Sequence, residues 1–530
     1  MKNQNPSYID PVSLKKWLHD GNEIALIDVR EHGQYGEEHL FYVVSVPYSK
    51  LESDVSRLVP RKQVRMVLVG DEEGALSLKA FKRLLTIGYS DIYILAGGMP
   101  AWKKAGYEVF AGVNLPSKAF GELAEHAFNT PRISASELDK KIQDKEDIVI
   151  LDGRPFTEYK KMSIPTAICC PNGELPLRID DFVTSPNTTI IINCAGRTRS
   201  IIGAQTLINL GIPNKVLALE NGTQGWYLAD LKLDHGQTKK HTLNIEQNTL
   251  DHRKSRAREL AQKHGVNFVD RALVNQWQQD DQRTTFICDV RTAEEYAQGT
   301  VPGAQHCPGG QLVQATDQYV GTRGARLVLV DQEGVRAPAM ASWLAMLGWD
   351  VSVLEDAFIA TGHQQNQAKI ETSPSDATEL LAEEIEKHLK AGVLLIDLRP
   401  SMQYRAGHIK SAIWSIRPQL HKIAEKLKEQ TVILLAEEKT IASLAAIDIK
   451  ELGATTIYIN TQKMVDWEAA HLPVEKTPNN PPDEQCIDYL FFVHDRHDGN
   501  KAAARQYLAW EINLLAQIDE QEKAGFKLPH

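Results

Sequence analysis

The chain reads as an α/β protein made of four copies of one unit, each a mostly parallel sheet flanked by helices, followed by a C-terminal helical tail. Three observations carry that expectation. Short apolar runs of strand type alternate with helix-like stretches along most of the 530 residues, and this order gives a parallel sheet covered on both faces. An Asp-x-Arg tripeptide closes such a run four times, and self-similarity along a chain marks a tandem array. A chain of this length is also too long for one core.

Each unit opens with a strand that ends in its tripeptide: Asp28-Val29-Arg30, Asp152-Gly153-Arg154, Asp289-Val290-Arg291 and Asp397-Leu398-Arg399. A pair ending in tyrosine follows: Gln34-Tyr35, Glu158-Tyr159, Glu295-Tyr296 and Gln403-Tyr404. A segment of the type Gly-His-Ile-Pro-Gly-Ala comes next, clearest as Gly299-Thr300-Val301-Pro302-Gly303-Ala304, with Gly407-His408-Ile409-Lys410-Ser411-Ala412 as a variant. A second apolar strand then leads through a loop into a helix that ends at Gly88, Gly211, Gly348 or Gly453, glycine being the usual residue just past a helix C-terminus. Another short strand closes the unit. The units are assigned to 8–113, 129–235, 265–372 and 373–477. The stretch 236–264, rich in Arg, Lys and Glu, is expected to be a helical linker with a solvated charged face.

The tail, 483–530, begins after a Pro/Asn-rich linker. It holds an apolar, aromatic run at 486–493, then His494-Asp495-Arg496-His497-Asp498-Gly499-Asn500, then a helix expected from about 501 to 523. Asp, Gly and Asn favour turns and caps, so the His/Asp cluster is read as a turn with Asn500 as N-cap rather than as a metal site. Tyr507, Trp510 and Leu514 are expected to pack on another domain or on a second chain of a homo-oligomer.

The loop of the second unit is where chemistry concentrates. Ile190-Ile191-Ile192-Asn193 runs into Cys194-Ala195-Gly196-Arg197-Thr198-Arg199-Ser200 and then a helix. Successive backbone N–H groups and the positive end of a helix make an anion cradle, and two arginines share the loop. A thiol there is expected to have a depressed pKa and to act as a nucleophile on an anionic substrate. Gly211 lies 17 residues after Cys194, and the same offset places Asp71, Asp331 and Ala436 at the loop heads of the other units. Those loops are acidic (Asp71-Glu72-Glu73-Gly74, Asp331-Gln332-Glu333-Gly334, Ala436-Glu437-Glu438-Lys439). They lack the thiol and repel anions, so three units are expected to be inactive.

These motifs resemble the rhodanese (sulfurtransferase) family, and specifically a protein of four rhodanese-like domains, over nearly all of 8–475. The resemblance rests on the Asp-x-Arg, the Cys loop with its helix, and a Gly-rich/Trp element, Leu219-Glu220-Asn221-Gly222-Thr223-Gln224-Gly225-Trp226 and Leu95-Ala96-Gly97-Gly98-Met99-Pro100-Ala101-Trp102. Units three and four depart from that last element (Leu354-Glu355-Asp356-Ala357-Phe358 and Asn460-Thr461-Gln462-Lys463-Met464). The resemblance implies sulfane-sulfur transfer from thiosulfate or a related small anionic donor, through a persulfide on Cys194, to cyanide, a thiol or a protein acceptor. It implies that Ala195, Gly196, Arg197, Thr198, Arg199 and Ser200 bind the substrate, the arginines holding donor oxygens, and that Asp152 and Arg154 support the site. Asp152 and Arg154 are read as an ordering salt bridge, because the pair recurs in units without a cysteine. Trp226 is read as core.

Two other functions share the loop's logic. A cysteine phosphatase or arsenate reductase also sets a thiolate in an anion cradle, but its signature has His before the Cys and five residues before the Arg. Here Asn193 precedes, and four residues separate Cys194 from Arg199. An interaction scaffold explains the inactive units but has no need of Cys194. Cys169-Cys170 could resolve a persulfide as a disulfide, although Cys307 at the matching place in unit three favours a structural role. The stretch from Gly303 to Gly310 lacks the spacing of a dinucleotide fingerprint.

Composition narrows the field further. A net charge of -10 argues against a general nucleic-acid binder. No apolar stretch approaches the ~20 residues of a membrane span, and the N-terminus lacks a signal-peptide core. Six cysteines do not make a disulfide framework in so long a chain, and no Cys/His spacing suggests zinc. The expectation is a cytoplasmic, reduced protein without metal or cofactor.

Overall fold

The computed structural model describes residues 5–71, 74–183, 185–241, 247–355, 360–361, 377–491 and 500–529. Residues 356–358 of the third unit and the His/Asp cluster at 494–499 fall outside the described residues, as do Glu72 and Glu73.

Four five-stranded sheets share one spatial strand order, first-fifth-fourth-second-third. In the second unit these strands are Arg132–Ile133, Val216–Leu219, Thr189–Asn193, Ile148–Asp152 and Ile168–Cys169, all parallel. Their central members are buried on both faces, which is why they read as continuous Ile/Val/Leu runs. The order changes direction between the second and fourth strands. Asp152 ends the one and pairs with Asn193, which ends the other. A crevice at such a switch point, outside the carboxyl ends of the strands, is where open α/β sheets place ligands.

The recurrent motifs hold each unit in the same way. Arg Nη2 meets Asp Oδ2 at 2.6 Å in all four Asp-x-Arg tripeptides. The same nitrogen reaches a backbone carbonyl eight residues on, of Glu38, Met162, Gly299 or Gly407. The tyrosine of the following pair donates to the carbonyl of Val43, Ala167, Ala304 or Ala412. Gly88, Gly211, Gly348 and Gly453 all have positive φ just past their helices, where a side chain would be strained.

The chain divides into two compact units of structure. One contains the first and fourth repeats. Arg417 lies there between Glu52 (2.5 Å) and Asp448 (3.0 Å), and Arg83 joins Asp448 at 2.8 Å. The other contains the second and third repeats with the tail from Asn500 on. In it, the backbones at Gly173 and Gly310 approach so closely that a Cβ on Gly173 would stand 2.7 Å from Gly310 N. Trp343 Nε1 donates to Thr206 Oγ1 at 2.8 Å across the same interface.

Three sequence expectations need correction. The fourth repeat loses the paired glycines but keeps the tryptophan. Trp467 lies seven residues after Asn460, as Trp226 does after Leu219, and is fully buried. The linker helix Gln247–Lys263 does not have a wholly solvated charged face. Arg253 is 1% exposed and bonds Asp180 and Asp181. The tail helix is three pieces, Lys501–Ile512, Leu514–Gln517 and Glu520–Lys523. A capping box on Asp519 starts the last of them anew. Asn500 caps the first piece by accepting from Ala503 N–H.

Candidate active site

Cys194 stands at the end of Thr189–Asn193, and the helix Thr198–Asn209 starts four residues later. The intervening turn is clamped from outside by the helix Gly222–Leu228. Thr223 N–H donates to the Cys194 carbonyl at 2.8 Å, and Gln224 N–H to the Ala195 carbonyl at 3.1 Å. Gly222 makes the approach possible. Its φ is 52°, and a Cβ there would stand 2.2 Å from the Cys194 oxygen. The Gly-rich/Trp element therefore has two halves. Trp226 fills the core, while Gly222, Thr223 and Gln224 set the loop, a role the sequence reading missed. In the first repeat Gly98, φ 53°, approaches the Asp71 carbonyl in the same manner.

The Cys194 thiol is buried, 1% exposed. Sγ lies 3.5 Å from Ser200 Oγ, and Ser200 Oγ donates to the Arg197 carbonyl at 2.8 Å. The expectation of a depressed pKa is not met. Burial raises the thiol above its ordinary value, and this outweighs the lowering by Arg199 and by the Ser200 hydrogen bonds. The Glu511 charge raises it further.

Both loop arginines are held by glutamates. Arg197 bonds Glu122 at 2.8 Å through two nitrogens and also meets Glu125. Arg199 forms a two-point pair with Glu158 at 2.7 and 2.8 Å. Asn172 Nδ2 donates to the Arg199 carbonyl at 2.7 Å. Asp152 receives Arg154 and, at 2.9 Å, Asn193 Nδ2, which braces the residue before the nucleophile. The Ser200 N–H lies 3.1 Å from the Arg197 carbonyl and also acts on the Cys194 thiol, lowering its pKa. Glu511, from the tail, reaches Thr198 Oγ1 at 3.5 Å.

The other loops carry their own anions. Asp331 Oδ2 accepts from the N–H groups of Val335 (3.0 Å) and Arg336 (2.9 Å). Asp71 Oδ1 accepts from Leu76 N–H at 3.2 Å. A carboxylate fixed to the chain lies where an exchangeable anion sits in a cradle of this kind. Among the described residues no group of three His, Cys, Asp or Glu is placed to hold a metal ion.

Comparison with known proteins bears on the fold and family of the chain. The family model described as a rhodanese-like domain matches residues 10–105, 134–229, 271–360 and 381–470. A putative sulfur carrier protein, YrkF of Bacillus subtilis, is 32% identical over 103 residues, 19% of this chain and 54% of that protein. The chain thus spans only about half the length of that relative. Thiosulfate sulfurtransferase GlpE of Coxiella burnetii is 30% identical over 91 residues, 17% of this chain and 82% of the relative. The crystal structure of a thiosulfate sulfurtransferase from Pseudomonas aeruginosa matches with a TM-score of 0.91 at 37% identity, over 99% of each chain. The chain belongs to the rhodanese-like family, with four such domains in tandem.

Proposed function

We propose that the protein is a sulfurtransferase with one working site, and that Cys194 carries sulfane sulfur as a persulfide. The observation that carries the reading is the placement of Cys194. It is the only loop-head residue of the four that is a thiol, and it sits at the sheet's switch point, before a helix N-terminus. The Cys194 thiolate attacks the outer sulfur of thiosulfate or a related donor. The donor's S–S bond breaks, sulfite leaves with the electron pair, and a persulfide remains. Cyanide, a thiol or an acceptor protein then takes the outer sulfur and returns the thiolate. Splitting the transfer through a covalent intermediate lowers each barrier, and the N–H groups at the helix start stabilise the persulfide charge. Asp152 and Arg154 position the strand ends. All six cysteines are free, and no helix among the described residues is long and apolar enough to cross a membrane. The free thiols suit a reducing, cytoplasmic setting.

The test compares the protein with Cys194→Ser after incubation with thiosulfate, reading intact mass and sulfite release. A gain of one sulfur with matching sulfite, absent from the variant, is expected. Uptake that survives in Cys194→Ser, or no uptake from thiosulfate or polysulfide, defeats the reading.

A further inference from the structure

The tail helix Lys501–Ile512 brings Glu511 against the Cys194 loop. This side chain is 2% exposed. Its Oε1 faces Thr198 Oγ1, while Oε2 is buried and makes no hydrogen bond among the described residues. A Cβ on Gly196 would stand 3.2 Å from Oε2 and 4.0 Å from Gln224 Nε2. Gln224 is itself 5% exposed, and neither atom of its side-chain amide has a partner among the described residues. Three unsatisfied polar atoms therefore gather two residues beyond the nucleophile. Buried polar atoms in folded proteins are almost always paired, and such a cluster beside a reactive thiol is where ligand groups belong.

Charge identifies the ligand. Arg197 and Arg199 are already matched by Glu122, Glu125 and Glu158. Glu511 adds a further carboxylate, which acts on Arg197 through its charge but forms no ion pair within 4.0 Å among the described residues. A buried carboxylate demands a positive partner and repels an anion.

We propose that Glu511 and Gln224 form an acceptor subsite for a small thiol that carries a protonated amine, the ammonium bound by Glu511 and the thiol presented to the Cys194 persulfide. This rests on the sulfurtransferase reading above. The acceptor sulfur bonds to the outer sulfur of the persulfide, the bond between that sulfur and Cys194 Sγ breaks, and its electron pair returns to Sγ. The acceptor's thiol proton ends on Sγ, so an aminothiol and a protein persulfide become an aminothiol persulfide and a protein thiol. No oxidant or reductant enters. Specificity is then the difference between a matched and a repelled charge at one carboxylate.

The test uses the full chain, loaded with sulfur from thiosulfate or polysulfide, and follows persulfide loss by intact mass. Cysteamine, 2-mercaptoethanol and mercaptoacetate are the acceptors, a cation, a neutral molecule and an anion of similar size. Wild type is expected to prefer cysteamine. Glu511→Gln is expected to lower the cysteamine-to-mercaptoacetate rate ratio about tenfold, while Glu511→Asp, which keeps the charge, retains a preference. Because each protein is its own control, differences in thiol acidity and in folded fraction cancel from the ratio. The same ratio in wild type and Glu511→Gln overturns the proposal and leaves the sulfurtransferase reading standing. A wild type that takes up no sulfur at Cys194 overturns both.

Discussion

Arg199 and Glu158 meet in a two-point ion pair, Nη1 to Oε1 at 2.7 Å and Nη2 to Oε2 at 2.8 Å. The third repeat builds the same pair from Arg336 and Glu295, at 2.7 and 3.0 Å. The first and fourth repeats have Leu76 and Ile441 in the arginine's place, and Gln34 and Gln403 in the glutamate's. The two positions change together within one chain. A guanidinium with so little exposure requires a counter-charge, and where it is absent the neutral amide suffices.

The arginine of this pair modulates the acidity of the nucleophile. Arg199 lowers the Cys194 pKa against the larger effect of burial. Removing the cation in Arg199→Ala raises it further, so less thiolate is present at neutral pH. Glu158→Gln leaves the cation unmatched and moves it the other way. The pH dependence of iodoacetamide alkylation at Cys194 reads both, with midpoints displaced in opposite directions. In wild type, sulfur uptake climbs with pH through neutrality, because a raised thiol pKa places the rise in thiolate fraction above pH 7. Midpoints that move together would show that the arginine acts only through packing.

The clamp on the loop gives a sharper contrast. Gly222→Ala forces a Cβ to 2.2 Å from the Cys194 carbonyl, at φ 52°. Neither the backbone nor the loop can yield cheaply, and the cost is expected to exceed about 2 kcal/mol, with sulfur uptake lost. Gly98→Ala meets the Asp71 carbonyl at 3.1 Å in the first repeat. It should destabilise the fold yet leave uptake at Cys194 intact, as intact mass after thiosulfate treatment will show. Loss of uptake in both variants would mean that the effect is global.

Much of this was legible in the sequence. Strand and helix periods, the glycines past the helices and the Asp-x-Arg tripeptides are local signals, and their fourfold repetition made the fold readable. The Glu158–Arg199 coupling was also present, as Glu or Gln before the tyrosine, but its meaning needs the loop and the strand end brought together. Glu511 was beyond reach, since it lies 313 positions from the threonine it touches and no local pattern marks it. The raised pKa of Cys194 is hidden from the sequence for a related reason. The loop's own residues favour a thiolate, but burial in the folded chain opposes it.

The neighbouring thiols should be bystanders. Cys169 is buried, with its pKa pushed up to about 12, and Cys170 is raised well above its ordinary value, both by burial. Neither supplies thiolate to resolve a persulfide at neutral pH. Cys169→Ala is expected to leave loading and discharge of Cys194 unchanged, and Cys170→Ala to cost about 1 kcal/mol of stability from lost packing. A disulfide between Cys194 and either residue, seen by peptide mapping during turnover, would reverse this assignment.

Asp331 tests what the third repeat's loop has become. Its carboxylate accepts two N–H groups at the helix start, yet burial raises its pKa to about 6. The folded-state value lies above the ordinary value of about 4 for an unfolded aspartate. The linked stability is therefore fully present below pH ~4 and is lost as pH rises through about 6, where the native state must hold the buried charge. Asp331→Asn keeps a carbonyl oxygen for the N–H groups and carries no charge. It is expected to raise Tm by about 2–4 °C at pH 7.5, with the gain vanishing below pH ~4. Thermal unfolding of both proteins across that range decides the matter. If Asp331→Asn is instead less stable at pH 7.5, the charge-assisted bonds to Val335 and Arg336 outweigh the burial, and the loop is held by an anion it has made its own.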